Sequence, residues 1–169
     1  TPEKSEMQES PEPVWKTPVI TENSYDDGLI SIVITEYREY DTAIYAAEIK
    51  LASAEYLRTA LAKNSYGRNV TQRTSTMAAN NNAILAVNGD YYGAREKGYV
   101  LRNGVLYRET AAKDQEDLVI YPDGSFEIIT ESEVSAAELY EKGAQQVLAF
   151  GPALVTDGEI SVTEWDEVG

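Results

Sequence analysis

Apolar and polar residues alternate along two stretches near the start of the chain. Leu29 to Tyr40 and Ala43 to Leu51 both have a period of two and many β-branched side chains. This pattern is typical of strands with one buried face. The two stretches meet near Asp41-Thr42, so we predict an adjacent antiparallel pair.

The apolar spacing becomes helical after Ser53, which is placed to cap the start of a helix, and Gly67 is placed to stop it. This predicts an amphipathic helix over residues 54–63, with apolar positions at Ala54, Leu57, Ala60 and Leu61. A second short helix is predicted from about Ser75 to Asn81. The apolar run Ala83 to Val87 then predicts a buried strand.

Turn signals between apolar runs predict three hairpins, at Asn103-Gly104, at Pro122-Asp123-Gly124 and at Thr156-Asp157-Gly158. The capping box Ser135-Ala-Ala-Glu138 predicts a further helix, with Gly143 at its C-terminal end. Hairpins combined with crossover helices indicate an α+β fold, built on a mixed, largely antiparallel sheet with a few helices.

Length and polarity predict the domain organisation. Residues 1–27 open with a polar, proline-containing tract that cannot bury enough apolar surface to offset its ordering entropy, so we predict a flexible tether. Residues 28–169 are predicted to form one domain around one core. No run of about 20 apolar residues is present, so we expect no membrane insertion of this segment. We interpret the tether as what remains after removal of an upstream targeting or anchoring segment, which predicts an extracellular or cell-surface location.

The charge and the missing residue types narrow the chemistry. With 14 basic and 29 acidic residues the formal charge is -15, which repels nucleic acid and anionic lipid surfaces. The chain has no cysteine and no histidine, so proton transfer would fall to carboxylates, tyrosines and lysines. We predict no cofactor and no metal site, and a bound metal would have to be an oxygen-liganded cation such as calcium or magnesium.

The segment Asn88-Gly-Asp-Tyr-Tyr-Gly93 follows the predicted buried strand. Polar groups at a strand end, flanked by glycines, often serve a ligand. Asp90 can act as an acid or base, and Tyr91 and Tyr92 can stack on a sugar ring. The simpler alternative is a turn with half-buried tyrosines.

Three further features are candidates for the same site. Arg102 offers a guanidinium suited to a phosphate, although it can equally solvate the rim of its hairpin. Phe150-Gly-Pro152 has a restricted backbone that can line a pocket. Four carboxylates lie near the tyrosine segment, but no spacing selects an acid and base pair among Asp90, Glu96, Glu109 and Asp117.

Three ordered segments resemble the phosphodiester glycosidase family: Ala86 to Gly93, Gly98 to Gly104, and Phe150 to Gly158. This family includes N-acetylglucosamine-1-phosphodiester α-N-acetylglucosaminidase, the uncovering enzyme, and bacterial exopolysaccharide-associated relatives. The resemblance runs from about Ile30 to the last residue. It implies hydrolysis of the bond between a sugar's anomeric carbon and a phosphate, with a phosphodiester-linked carbohydrate of a secreted or surface glycan as substrate.

The resemblance matches Asn88, Gly89, Arg102, Gly151 and Pro152 to family motifs, whereas many relatives carry a small residue at the position of Asp90. We assign catalysis to Asn88, Asp90 and Arg102, with Arg102 neutralising phosphate charge as the leaving group departs. Substrate binding is assigned to Gly89, Tyr91, Tyr92, Gly151 and Pro152.

Relatives continue with an Asn-Pro-Arg-Thr-like segment and later an Asp-Gly-Gly-Gly-Ser-like loop, and this sequence contains neither. We therefore expect residues 28–169 to be the N-terminal part of a domain that a C-terminal fragment of the same protein completes. Two other functions stay open. One is a non-catalytic carbohydrate-binding module of the cell envelope, suited by 12 tyrosines; the other is an interaction domain that uses the hairpins as a surface.

Overall fold

A computed structural model describes residues 12–149 and 151–163, which form two compact units. The first unit ends at Tyr56 and the second begins at Leu57. The sequence predicts one core for residues 28–169, whereas the structure divides that range. The boundary falls inside the helix predicted for residues 54–63.

The first unit holds a four-stranded antiparallel sheet of order β1-β2-β3-β4. Its long central pair matches ten residues on each side, from Ile30 opposite Leu51 to Glu39 opposite Thr42, which confirms the predicted antiparallel pair. Two of the strands lie within the range predicted as a tether, and residues 1–11 of that range lie outside the described residues. The strands are β1 (Val19–Ile20), β2 (Ser24–Asp26), β3 (Ile30–Glu39) and β4 (Thr42–Leu51).

The second unit holds a five-stranded antiparallel sheet of order β6-β5-β9-β7-β8 and a separate hairpin, β10 with β11. Its core packs one face of the larger sheet against the second helix, and Leu139 and Val119 are fully buried there. The elements are α1 (Thr74–Asn80), β5 (Val100–Arg102), β6 (Val105–Arg108), β7 (Glu116–Ile120), β8 (Phe126–Thr130), α2 (Ala136–Glu141), β9 (Gln146–Leu148), β10 (Val155–Thr156) and β11 (Glu159–Ile160).

The turn and capping signals in this unit are confirmed, as is the short helix before Asn81. The turns at residues 103–104, 122–124 and 157–158 join β5 to β6, β7 to β8 and β10 to β11. The short helix α1 forms where it was predicted. At α2 the Ser135 hydroxyl accepts the Glu138 N–H, the Glu138 carboxylate accepts the Ser135 N–H, and Gly143 follows with a φ of 84°.

Replacing Ser135 with alanine is expected to lower the free energy of unfolding by about 1 kcal/mol, because it leaves the first-turn N–H groups of α2 without their acceptor. Urea-induced unfolding monitored by circular dichroism measures this loss. Ser132→Ala, at an exposed position outside the helix, is the matched control and should leave the midpoint unchanged. Equal midpoints for Ser135→Ala and the wild type would contradict the cap.

The amphipathic helix predicted for residues 54–63 is wrong. Only two 3-10 turns form there, at Ala54–Tyr56 and Ala62–Asn64. Between them, both backbone groups of Thr59 bind the Asn103 side chain, at 3.1 Å for the Thr59 N–H and 2.8 Å for its carbonyl. These long-range hydrogen bonds occupy the donor and acceptor that a helix would need, so tertiary structure overrides the local periodicity.

The buried strand predicted for Ala83 to Val87 is also wrong. These residues form no strand, and their apolar side chains are exposed, with Val87 at 87%. A strand forms only against a neighbour that satisfies its backbone groups, and no strand of the described residues pairs with this run. The run is apolar in composition, but it is exposed and pairs with no strand among residues 12–149 and 151–163.

Every strand pair in the described part of the chain is antiparallel, so the expected mixture with parallel pairs is not seen there. Largely antiparallel sheets with two short α-helices fit an α+β or a mainly β fold. None of the helices observed is long and apolar enough to cross a membrane, within the residues that the structure describes.

Candidate functional site

A buried ion pair joins the 88–93 segment to the larger sheet. Arg102 in β5 places Nη2 at 2.7 Å from both carboxylate oxygens of Asp90, and the two side chains are only 4% and 2% exposed. The Ala149 N–H donates to Asp90 Oδ2 at 2.8 Å. Asp90 is therefore bound from two neighbouring parts of the sheet, which fixes the position of the segment around it.

The remaining contacts of Arg102 are also internal. Its Nη1 donates to the carbonyl of Leu101 at 3.1 Å and to the carbonyl of Val147. Neither alternative from the sequence describes this geometry, because the guanidinium is at no solvated rim and a phosphate could reach it only by displacing protein acceptors. The structure thus brings Asp90 and Arg102 together, but it does so in the interior.

Three tyrosines stack beside this pair. The Tyr66 ring lies 5.7 Å from the Tyr92 ring at an interplanar angle of 16°, and 4.9 Å from the Tyr107 ring at 29°. The Arg102 guanidinium carbon lies 5.6 Å from the centre of the Tyr92 ring. Burial raises the pKa of the Tyr92 hydroxyl above its usual value. Since protein groups already contact its ring, Tyr92 is a scaffold for the segment rather than an open stacking surface.

A groove of about 510 Å³ opens next to the ion pair. Three of the predicted substrate-binding residues, Tyr91, Gly151 and Pro152, meet in its wall, although two of them lie some 60 positions from the first. Phe150, the first residue of that motif, lies outside the described residues. The other lining residues are Arg95, Asp114, Gln115, Glu116, Thr130 and Ala149.

The other predicted site residues lie outside the lining of the groove. Asn88 is exposed and accepts a hydrogen bond from the Thr74 hydroxyl at 2.7 Å, which ties the segment to the start of α1. Gly89 is exposed and has open space where a side chain would project. Tyr91 alone of the 88–93 segment lines the groove, and Asp90 and Arg102 lie behind it as the buried ion pair.

Hydrogen bonds between side chains and backbone shape the groove wall. Glu116 in β7 accepts the Ala153 N–H at 2.9 Å, next to the cis peptide bond between Gly151 and Pro152. Arg95 Nη1 donates to the Gln115 side chain at 2.8 Å. Sequence reasoning missed these lining residues because none belongs to a motif. Strand alternation is the one usable signal, since it places Glu116 on the face opposite its buried neighbour Asp117.

A pair of buried carboxyls lies behind the ion pair. Asp117 is fully buried, and neither of its oxygens has a hydrogen-bond partner. Glu131, 3% exposed, accepts the N–H groups of Tyr99, at 2.7 Å, and of Ala112. Burial, with the neighbouring Glu131 second, raises the pKa of Asp117 to about 8, and Arg102 opposes this. Asp117 is therefore protonated at neutral pH, and its O–H can donate a hydrogen bond to the Glu131 carboxylate.

The described part of the chain contains no group of three acidic side chains placed to hold a metal ion. Two of its buried carboxylates already have protein partners, since Asp90 binds Arg102 and Glu131 binds backbone N–H groups. The groove instead offers one guanidinium, two carboxylates and an aromatic ring, with Tyr91 67% exposed. That set can hold a polar ligand that combines a ring with an anionic group.

Comparisons with known proteins cover the part of the chain that holds the groove. A family model described as phosphodiester glycosidase matches residues 81–168, a range that includes the 88–93 segment and every residue lining the groove. A protein of Bacillus subtilis (strain 168), the SPbeta prophage-derived uncharacterized protein YomE, is 29% identical over 113 residues. These cover 61% of this chain and 17% of that relative. No solved structure matches the chain significantly.

Proposed function

Because the chain belongs to the phosphodiester glycosidase family, we propose that its second unit cleaves the bond between a sugar's anomeric carbon and the phosphate of a phosphodiester-linked carbohydrate. The observation that carries the proposal is the groove in which Tyr91 meets Gly151 and Pro152. Two motifs that are far apart in the sequence converge on one cavity, as residues with a common ligand would.

In the proposed complex, the sugar ring of the substrate packs against the ring of Tyr91. An exposed aromatic ring presents an apolar face to the C–H groups of a sugar, while its hydroxyl remains a hydrogen-bonding group. The buried Asp90–Arg102 pair holds the backbone on which Tyr91 stands. We therefore propose that Asp90 and Arg102 are positioning residues, in place of the direct catalytic roles expected from the sequence, and that Asn88 acts with them by anchoring the segment to α1.

In the proposed reaction a water molecule attacks the anomeric carbon. The new bond joins the water oxygen to that carbon, the bond from the carbon to the phosphate oxygen breaks, and the electron pair leaves with a phosphate monoester. The water proton passes to a carboxylate. Glu116 is the candidate base because it lines the groove and the Ala153 N–H orients one of its oxygens. A phosphate is a stable leaving anion, so electrostatic stabilisation of its charge matters more than its protonation.

We propose a secreted or surface-attached protein acting on cell-surface glycans, as the sequence predicts. Additional polypeptide, including the C-terminal fragment expected from the resemblance, would complete the fold around the groove. The exposed apolar run Ala83 to Val87 supports this part of the proposal, because its side chains have the composition of a buried strand.

Hydrolysis in ¹⁸O-labelled water tests the function. With a sugar 1-(methyl phosphate) as substrate, methyl phosphate is expected in the ³¹P spectrum, and mass spectrometry is expected to find the ¹⁸O in the sugar, because the carbon–oxygen bond breaks. The matching methyl glycoside without phosphate is the control substrate and should not react. Label in the phosphate would indicate a phosphodiesterase. Binding of the sugar without turnover would favour the carbohydrate-binding module.

A further inference from the structure

We propose that Arg95 recognises the phosphate of the substrate and thereby selects phosphodiester-linked sugars over neutral glycosides. The inference rests on the proposed function, and it assigns the anion-binding role to a residue outside the three sequence motifs. It follows from the contacts that the other arginines near the groove already make, from the hydrogen bonds that hold Arg95, and from the charge of the groove wall.

The other arginines near the site are already occupied. Arg102 is buried on Asp90, and Arg68 is paired with Glu96 at 2.6 Å. The Arg108 Nη1 donates to the carbonyls of Tyr92 and Arg95, at 3.0 and 2.7 Å. Arg95 is exposed, and it forms no ion pair with any carboxylate of the described residues. Its positive charge is therefore not neutralised by a protein group in contact with it.

One hydrogen bond holds the Arg95 guanidinium at the groove, and a second holds its backbone. The Gln115 side chain accepts from Nη1 at 2.8 Å, and Arg108 binds the Arg95 carbonyl, so both the side chain and the backbone are held. Gln115 is a neutral amide, so it orients the guanidinium without cancelling its charge. An arginine fixed in this way can offer its remaining N–H groups to two oxygens of one phosphate, with little ordering left to occur on binding.

The negative charge around the groove makes binding of an anionic substrate depend on Arg95. Asp114 and Glu116 also line the groove, and the chain as a whole carries a formal charge of -15, so a phosphodiester approaches against repulsion. Arg95 is the one basic side chain in the described lining of the groove. A neutral glycoside gains nothing from it, whereas an anionic diester needs it to offset the two carboxylates. The same carboxylates would discourage a second phosphate.

Replacing Arg95 tests the inference. Methyl phosphate binding to the full chain, measured by isothermal titration calorimetry, is expected to weaken at least tenfold in Arg95→Gln and by less in Arg95→Lys, which keeps the charge but loses the fork. KM for a sugar 1-(methyl phosphate) is expected to rise by a similar factor. Arg68→Gln is the matched control, since it removes an exposed arginine outside the groove lining, and it should change neither value.

The outcomes separate this inference from the function on which it rests. Turnover of the diester with KM unchanged in Arg95→Gln would overturn the role of Arg95 and leave the hydrolase in place. Methyl phosphate binding that depends on Arg95, with no turnover of any diester, would contradict the hydrolase and leave the anion site. A wild-type chain that binds no methyl phosphate would overturn the inference. Urea midpoints equal to the wild type show that the variants are folded.

Discussion

Asp90→Ala is expected to lower the free energy of unfolding by about 3–5 kcal/mol, because it leaves the Arg102 guanidinium buried without its counter-charge. Arg102 is 4% exposed, and the carbonyls that it also contacts do not neutralise it. Water must then enter the site or the arginine must leave the interior, and either change disturbs β5. Urea-induced unfolding measures the loss. An m value equal to that of the wild type shows that unfolding stays two-state.

The exposed Arg68–Glu96 pair is the matched control. Its nitrogen-to-oxygen distance of 2.6 Å is as short as that of the buried pair, but its side chains are 60% and 74% exposed. Glu96→Ala should therefore cost less than about 1 kcal/mol. A double variant, Asp90→Leu with Arg102→Met, should recover much of the loss, since apolar side chains of similar size need no partner. A cost for Asp90→Ala no larger than that for Glu96→Ala would contradict the structural role of the pair.

Asp117→Asn is expected to remove a fall in stability that the wild type shows as the pH rises from about 4 to about 8. Asp117 has a pKa of about 8 in the folded state, raised by burial first and by Glu131 second. The folded protein therefore retains a proton that the unfolded chain releases above its ordinary pKa near 4. The stabilising contribution is complete below that value and is lost as the pH rises through 8, by up to about 1.4 kcal/mol per pH unit.

Asparagine keeps the shape of the protonated acid and can donate to Glu131 in the same way, but it does not titrate. Between pH 6 and pH 8 the wild type should therefore lose about 2–3 kcal/mol of unfolding free energy relative to Asp117→Asn. Urea titrations at several pH values give this difference. Groups that face Asp117 and can modify the slope are Glu131, Asp90 and Arg102.

A second aspartate provides the control for the sign of this effect. Asp123 lies in the exposed β7–β8 turn, and its pKa is lowered by hydrogen bonds from the Ser125 hydroxyl and N–H. Its contribution is present above the ordinary pKa and is lost only as the pH falls into the acid range. Asp123→Asn should thus leave the stability profile between pH 6 and pH 8 parallel to that of the wild type. A parallel profile for Asp117→Asn as well would show that Asp117 is ionised in the folded protein.

The sequence predicts those parts of the fold that short segments determine. The Asn103-Gly104 turn, the Ser135 capping box and the long β3–β4 pair all depend on neighbouring residues, and all three form. The helix predicted over residues 54–63 does not form, because the side chain of Asn103, more than 40 positions away, hydrogen-bonds the N–H and the carbonyl of Thr59. Periodicity reports which residues are apolar, but it cannot report which distant side chain competes for a backbone group.

The candidate site divides in the same way. The motifs predict that Tyr91, Gly151 and Pro152 belong together, and the groove brings them together. They do not predict that Asp90 binds Arg102, since either residue alone has the composition of a surface ligand. Arg95 and Glu116 lie outside the motifs, and only the folded sheet shows that they face the same cavity.

The stack of Tyr66, Tyr92 and Tyr107 gives the second unit a spectroscopic signal of its own in near-ultraviolet circular dichroism. Rings at centre-to-centre distances of 5.7 and 4.9 Å couple their electronic transitions, and coupled chromophores in a fixed chiral arrangement give a strong near-ultraviolet circular dichroism signal. The part of the band that Tyr66→Leu removes reports on the segment that carries Tyr91, because Tyr92 is its neighbour in sequence. Ligand binding and thermal loosening around the groove can therefore be followed without an attached dye, and Tyr66→Leu would supply the spectrum of the uncoupled rings.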